Sequence, residues 1–201
     1  MVGMALDRGS PLALTVLALL RSRPLHPYGM QRLLKQWGKD QVVNVGQRAG
    51  LYRTIDRLAE AGLLRVRETG RDQQYPERTV YELTDAGRER LRAWLDDMLS
   101  RPKQEFPQFP AALSNAMLLA PGELADALER RAEAVERTLA ELESSLAAEA
   151  DLPRITMLEI EYLREVTAAE ARWLRAVLAD LRDGRMTWSH EQLAEISAAR
   201  E

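Results

Sequence analysis

The sequence contains no cysteine and only two histidines, His26 and His190. Disulfide frameworks, thiolate metal sites and cysteine nucleophiles are therefore excluded. Neither histidine has a suitable nucleophile or metal ligand near it in sequence, and no glycine-rich phosphate loop is present. We therefore expect no catalytic residue, no metal and no cofactor, and an enzyme is the least favoured class of function.

Long apolar runs are also missing. The one run that resembles a signal-peptide core, residues 12–20, falls well short of the ~20 residues that a membrane-spanning helix needs. Asp7 and Arg8 precede it, and no small-residue cleavage site follows Arg21 and Arg23. We therefore predict a buried first helix in a cytoplasmic protein that does not act in a membrane.

The net charge of −3 is distributed unevenly along the chain. Residues 1–90 contain 15 Lys and Arg against 10 Asp and Glu, whereas residues 91–201 contain 13 against 21. DNA attracts a basic front half and repels an acidic back half, as expected of a binding module joined to a regulatory or assembly module. Chance variation between two solvated surfaces explains the charges equally well, so the motifs must decide.

The first part of the chain predicts three helices. Apolar residues crowd every side of residues 11–23, which suits a buried helix. A second helix starts at Pro27, because proline is tolerated in a first helical turn. Asn44 can cap a third helix, with Gln47 three residues later completing a capping box.

A β-hairpin and a fourth helix follow. Residues 64–68 and 79–83 alternate apolar and polar side chains, as strands do, and Thr84 can cap the next helix. Three helices, a two-stranded wing and a further helix predict a winged helix-turn-helix. Arg71 and Arg78 lie in the segment at the tip, where they are placed to contact phosphates or a minor groove, although a polar loop without function is an equal alternative.

The third helix carries most residues expected to contact DNA. Leu51, Ile55 and Leu58 form its core face, and the opposite face is small near its start and basic further along. Gly46 and Gly50 each lower helix stability by ~1 kcal/mol relative to Ala, so another reason favours them. Small residues let a helix backbone approach the major groove, so this face is predicted to contact DNA. The alternative is that its arginines are merely solvated and have no function. The predicted DNA contacts, with one from the second helix, are Tyr28, Gln47, Arg48, Tyr52, Arg53, Thr54 and Arg57.

These segments together resemble the PadR-like family of transcriptional regulators. The resemblance covers about the first half of the chain and rests on Arg23-Pro24, His26-Pro27-Tyr28-Gly29, Leu51-Tyr52, Arg57-Leu58, Gly62-Leu63 and Tyr81-x-Leu83-Thr84-x-x-Gly87. It implies a homodimer that binds an inverted-repeat operator through two recognition helices, usually represses, and often releases DNA when a small molecule binds. The family usually has Ser beside an Ile-Tyr pair where this chain has Gly50, so we expect Gln47 or Arg48 to take over that contact.

A proline-rich segment separates two predicted domains. Residues 102–110 contain three prolines and no helical period, so they predict a connection. We expect a winged helix-turn-helix domain over residues 1–101, a helical dimerisation and effector domain over residues 111–185, and a tail over residues 186–201.

The second domain predicts a short helix over residues 111–119 and two long antiparallel helices. The first long helix carries a heptad seam from Leu128 to Leu146, and the second, over residues 155–181, carries two apolar stripes. One partner helix cannot cover so broad a face, so a second copy is expected, with a monomeric bundle as the alternative. The predicted dimer contacts are Leu128, Val135, Leu139, Leu142, Leu158, Tyr162, Val166, Trp173 and Val177.

Three aromatic residues near the predicted junction suggest an effector pocket. Trp94, Phe106 and Phe109 could form walls for a flat apolar ligand, although core packing is the commoner use of such residues. The sequence thus predicts a mainly helical regulator with a small β-wing, whose partners are double-stranded DNA, a second copy and a small-molecule effector. The competing function is a protein-interaction adaptor that uses the winged helix and the long helices without binding DNA.

Overall fold

The computed structural model describes residues 9–39, 43, 48–70, 78–189 and 191. The chain divides into two compact units, Met1–Gln104 and Glu105–Glu201. Several predictions fall outside the described residues: the Asn44 cap, the contacts assigned to Gln47 and Arg71, and most of the tail beyond Ser189. The side chains of Arg48 and Arg78 also lie outside the description.

The N-terminal unit has the predicted element order. Its elements are α1 (Pro11–Ser22), α2 (Pro27–Gln36), α3 (Arg48–Glu60), β1 (Leu64–Gly70), β2 (Arg78–Leu83) and α4 (Asp85–Ser100). Side-chain caps fix where three of the helices begin, because Ser10, His26 and Thr84 each accept a hydrogen bond from a backbone N–H of the first turn. The winged helix-turn-helix prediction is confirmed.

The core of this unit forms around α1, which packs against α3, α4 and β2. Val16 and Leu17 of α1 are fully buried, as the apolar crowding of this segment predicts. The core face of α3 is also confirmed, because Leu51, Ile55 and Leu58 are all buried in the same cluster. This packing leaves the opposite face of α3 free of the core.

The wing is an antiparallel pair in which Leu64 lies opposite Leu83, with a bulge between Val66 and Glu68. Leu25, two residues before α2, extends this sheet, because it exchanges two backbone hydrogen bonds with Tyr81, at 3.0 and 3.1 Å. The segment between α1 and α2 is thereby tied to the second strand of the wing.

The C-terminal unit is dominated by α6 (Pro121–Ala148) and α7 (Leu158–Arg182), which follow the short α5 (Gln108–Leu113). Two 3-10 turns, Ala116–Leu118 and Arg154–Thr156, precede the long helices. The predicted antiparallel hairpin is confirmed, with Leu124, Leu128 and Leu174 buried in its core. In the described part of the chain no helix is both long and apolar enough to cross a bilayer.

The short helix lies earlier than predicted. The sequence predicts a connection to residue 110 and a helix over residues 111–119, but α5 starts at Gln108 and ends at Leu113. Pro110 is only its third residue, and the first N–H groups of a helix have no partner within the helix, so a proline there removes no hydrogen bond.

Candidate nucleic-acid interface

The outer face of α3 exposes the side chains that the sequence predicts for DNA contact. Tyr52, Arg53 and Arg57 are all exposed, on the side opposite the buried Leu51, Ile55 and Leu58. The Arg53 guanidinium has no hydrogen-bond or ion-pair partner among the described residues, so its donors are available to an external acceptor. Within the described part of the chain, Arg53 is therefore an unpaired cation on the side of the helix that faces away from the core.

Thr54 requires a correction. It was predicted to read DNA, but its side chain is only 3% exposed. Its hydroxyl donates to the Gly50 carbonyl at 2.9 Å, and it accepts from Nη2 of Arg57 at 3.4 Å. A threonine that bonds the carbonyl four residues earlier is held against its own helix. Thr54 therefore steadies Arg57, whose Nε also donates to the Arg53 carbonyl at 3.3 Å, and presents no surface to a base.

Gly50 leaves open space beside the first turns of α3. A Cβ built at this position meets no atom within 4 Å, and Gly50 does not have a positive φ. Neither packing nor backbone conformation therefore requires glycine here, although glycine costs about 1 kcal/mol relative to Ala in a helix. The described residues thus give no structural reason for this glycine, which is consistent with close approach by an external molecule.

Tyr28 stands exposed at the start of α2. Its ring stacks on His26, with centroids 6.1 Å apart and planes 10° from parallel. Nδ1 of His26 accepts from the Gly29 N–H at 2.9 Å, so the histidine is fixed as the cap of α2. The cap and the stack together hold Tyr28 at the helix start, a position from which a phenol can reach a phosphate.

Tyr81 of β2 lies beside the outer face of α3. Burial is the main cause that raises the pKa of its phenol, and the nearby groups Asp56 and Tyr52 raise the pKa further. Both of these α3 residues are exposed, and they lie one turn apart on the same side of the helix. The side of α3 that carries Tyr52 and Asp56 therefore borders the wing.

An apolar stripe on α7 is exposed in the single chain. Tyr162 is 67% exposed and Trp173 is 42% exposed, and Leu158 and Val166 lie exposed on the same stripe. Leu128 and Leu142 require a correction, because both are buried within one chain, whereas Val135, Leu139 and Val177 are half-buried. A heptad seam shows that two helices pack, and here the partner of α6 is α7 of the same chain. Among the predicted dimer contacts, the exposed ones are therefore those of the α7 stripe.

Comparison with known proteins identifies the N-terminal unit. Residues 16–93 match the model of the transcriptional regulator PadR-like family. Residues 16–93 are a PadR-like domain.

Solved structures with this fold cover most of the chain. Bacillus subtilis PadR in complex with operator DNA is similar, with a TM-score of 0.72 and 21% identity over 86% of this chain and 99% of that one. The same protein in complex with p-coumaric acid is similar with a TM-score of 0.66 and 18% identity, over 87% of this chain and 98% of that one. The Vibrio cholerae virulence activator AphA is similar with a TM-score of 0.62 and 21% identity, over 86% of this chain and 98% of that one. No curated protein sequence matches this chain.

Two arginines in the wing of the PadR-like domain were not among the predicted DNA contacts. Arg65 and Arg67 are exposed on β1, where Arg65 donates to Glu82 at 2.6 Å and Arg67 lies 4.0 Å from the same carboxylate. The sequence does indicate that both side chains are exposed, because they occupy polar positions of the alternating strand.

The three aromatic residues proposed for an effector pocket lie in different units. Trp94 is buried in the core of the PadR-like domain, 4% exposed, and its indole N–H has no hydrogen-bond partner among the described residues. Phe109 packs in the C-terminal unit, edge-on to Trp173 and 3.5 Å below the Arg131 guanidinium, while Phe106 is 90% exposed. The effector pocket stays a prediction.

Proposed function

We propose that this protein is a DNA-binding transcriptional regulator that binds an inverted-repeat operator as a homodimer. The observation that carries the proposal is the outer face of α3 inside a PadR-like domain. It combines Arg53, which has no partner among the described residues, with open space beside Gly50. Arginine reads guanine through two hydrogen bonds in the major groove, and small residues allow the helix to enter it. Exposed Arg65 and Arg67 supply positive charge on the wing for the flanking phosphates.

A homodimer follows from the reach of one domain. A single recognition helix contacts few base pairs, and helix-turn-helix dimers instead read two half-sites about 34–36 Å apart. The α7 stripe of Leu158, Tyr162, Val166 and Trp173 supports this assembly, because an exposed apolar surface of this kind is a typical protein interface. The second copy would bury the stripe and present the second recognition helix.

We further propose that a small aromatic molecule weakens DNA binding. B. subtilis PadR has been crystallised with p-coumaric acid, and its fold is similar. Phe106 and Phe109 of the C-terminal unit are the proposed contacts. A panel of aromatic acids that includes p-coumaric acid should change tryptophan fluorescence, and one member should release the protein from DNA in a gel-shift assay. Unchanged fluorescence across the panel would argue against this site.

The direct test is a footprint on the DNA upstream of the gene for this protein. A protected inverted repeat is expected, with affinity that falls steeply as salt rises because phosphate neutralisation releases counterions. Equal affinity for random duplex would contradict sequence specificity, and a dimer with no affinity for any duplex would favour the adaptor function. We propose repression in the cytoplasm, which a reporter gene under this promoter tests by its derepression when the regulator is deleted.

A further inference from the structure

Two exposed carboxylates, Asp56 and Glu60, interrupt the basic outer face of α3, and Glu60 is the last residue of the helix. Asp56 is exposed, lies three residues after Arg53, and has no ion-pair or hydrogen-bond partner among the described residues. Opposite charges at this spacing on a helix can pair, yet here both side chains are left to solvent. A negative charge on a surface that approaches phosphates opposes non-specific binding, so its presence needs a compensating role.

The position of Asp56 puts it where helix and wing meet. It lies one turn after Tyr52, and its charge contributes, after burial, to the raised pKa of Tyr81 on β2. A winged helix-turn-helix that inserts α3 into a major groove and lays its wing on the flanking backbone brings this side of the helix to the DNA. In such a complex the exposed Asp56 carboxylate would lie within reach of base edges at one end of the contact.

We propose that Asp56 selects cytosine at one position of each half-site, by accepting a hydrogen bond from the cytosine amino group in the major groove. The inference rests on the proposed operator binding. An ionised carboxylate can only accept hydrogen bonds, and the major groove offers it two donors, cytosine N4 and adenine N6. Adenine N6 is flanked by two acceptors, its own N7 and O4 of thymine, whereas cytosine N4 is flanked by one, O6 of guanine. The carboxylate therefore favours cytosine.

The same charge rejects the wrong base. If the base edge that faces Asp56 carries only acceptors, the desolvated carboxylate has no hydrogen-bond donor. The resulting loss of binding free energy is larger than the loss from a missing contact alone. Arg53 and Asp56 then have different effects on binding. The arginine attracts guanine and phosphate, whereas the aspartate weakens binding to sequences that lack cytosine at its position.

The test is in vitro selection from a library of randomised duplexes with the full-length wild type, Asp56→Asn and Asp56→Ala. Asparagine both donates and accepts, and it pairs with N6 and N7 of adenine. The wild type should enrich cytosine at one position per half-site, Asp56→Asn should enrich adenine there, and Asp56→Ala should show no preference at that position alone. Affinity of Asp56→Asn for the wild-type sequence should fall about tenfold, the usual scale for one wrong base pair.

Glu89→Gln is the matched control. Glu89 is exposed on α4 of the same unit and has no partner among the described residues, so its substitution removes one negative charge away from the recognition face. It should leave every base preference unchanged. Identical preferences for wild type and Asp56→Asn would overturn the inference, even if the variant bound all duplexes more tightly. Failure of the wild type to enrich any sequence would overturn the proposed function itself.

Discussion

The Thr84 hydroxyl donates to the Gly62 carbonyl at 2.8 Å and thereby ties the start of α4 to the turn after α3. The same hydroxyl lies 3.0 Å from the Leu63 carbonyl and accepts from the Gly87 N–H at 3.0 Å. One side chain therefore caps α4 and fixes the end of the recognition helix. The Thr-x-x-Gly motif has this physical role, whatever DNA the domain binds.

Replacing Thr84 by valine should destabilise the N-terminal unit by about 1–2 kcal/mol, the upper range for loss of a helix cap. Thr84→Ser should retain most of the stability because it keeps the hydroxyl. Urea unfolding followed by fluorescence of the buried Trp94 measures both. Thr138→Val is the control, since Thr138 is exposed and its hydroxyl bonds only the Ala134 carbonyl of its own helix. Equal unfolding midpoints for Thr84→Val and the wild type would contradict the role of the cap.

The second prediction concerns the two glycines at Gly87 and Gly122. A Cβ at Gly87 would overlap the Leu63 carbonyl oxygen, which is backbone and cannot rotate away, whereas a Cβ at Gly122 meets nothing within 4 Å. Gly87→Ala should therefore lower the unfolding temperature, and Gly122→Ala should raise it, with a gain of up to about 1 kcal/mol from helix propensity. Calorimetry measures both. Shifts of the same sign would contradict the close approach at Gly87.

The third prediction concerns Arg53. Arg53→Ala should weaken operator binding by about 1–3 kcal/mol if the side chain reads a base, with a smaller loss for random duplex. Arg172→Ala removes the same charge from an exposed site on α7 and should leave affinity unchanged. Fluorescence anisotropy at fixed salt compares the two. A similar loss for both variants would mean that overall charge, rather than a base contact, drives the effect.

Periodicity predicted the elements well but could not say what each face meets. Thr54 was assigned to DNA because it lies at the edge of the outer face of α3, and the sequence pattern does not show the hydrogen bond to the Gly50 carbonyl that holds it against the helix. Leu128 and Leu142 follow a true heptad seam, but a seam does not reveal whether its partner helix is in the same chain. The first error concerns a hydrogen bond within one helix, and the second concerns tertiary context, which acts after secondary structure is set.

The fourth prediction concerns the α7 stripe. Tyr162→Glu should convert the proposed dimer to a monomer, because a charge in the middle of a buried apolar interface is desolvated without a partner. Ser144→Glu is the control, since Ser144 is exposed on α6 opposite its buried residues. Analytical ultracentrifugation gives the mass of each variant. If the wild type sediments as a monomer, or if both variants sediment as dimers, the α7 stripe is not the dimer interface.

The fifth prediction concerns the register of the helix hairpin. Glu129 pairs with Arg182 at 2.5 Å and Glu136 with Arg175 at 2.9 Å, so partners recur seven residues apart on both antiparallel helices. These pairs are about half exposed, so each should contribute only ~0.2–1 kcal/mol. Arg175→Glu should destabilise the hairpin, and the swap Glu136→Arg with Arg175→Glu should recover most of the loss.

A double-mutant cycle in urea measures this coupling between Glu136 and Arg175. The coupling should shrink in 1 M salt, where the screening length falls to about 3 Å. The matched cycle combines Glu136→Arg with Arg172→Glu, because Arg172 is exposed on α7 and has no partner among the described residues. Its coupling should be close to zero. Equal couplings in the two cycles would mean that the charges act through the general field of the hairpin. A specific coupling would mean that the ion pairs disfavour a shift of α7 along α6, because any shift of fewer than seven residues separates both pairs at once.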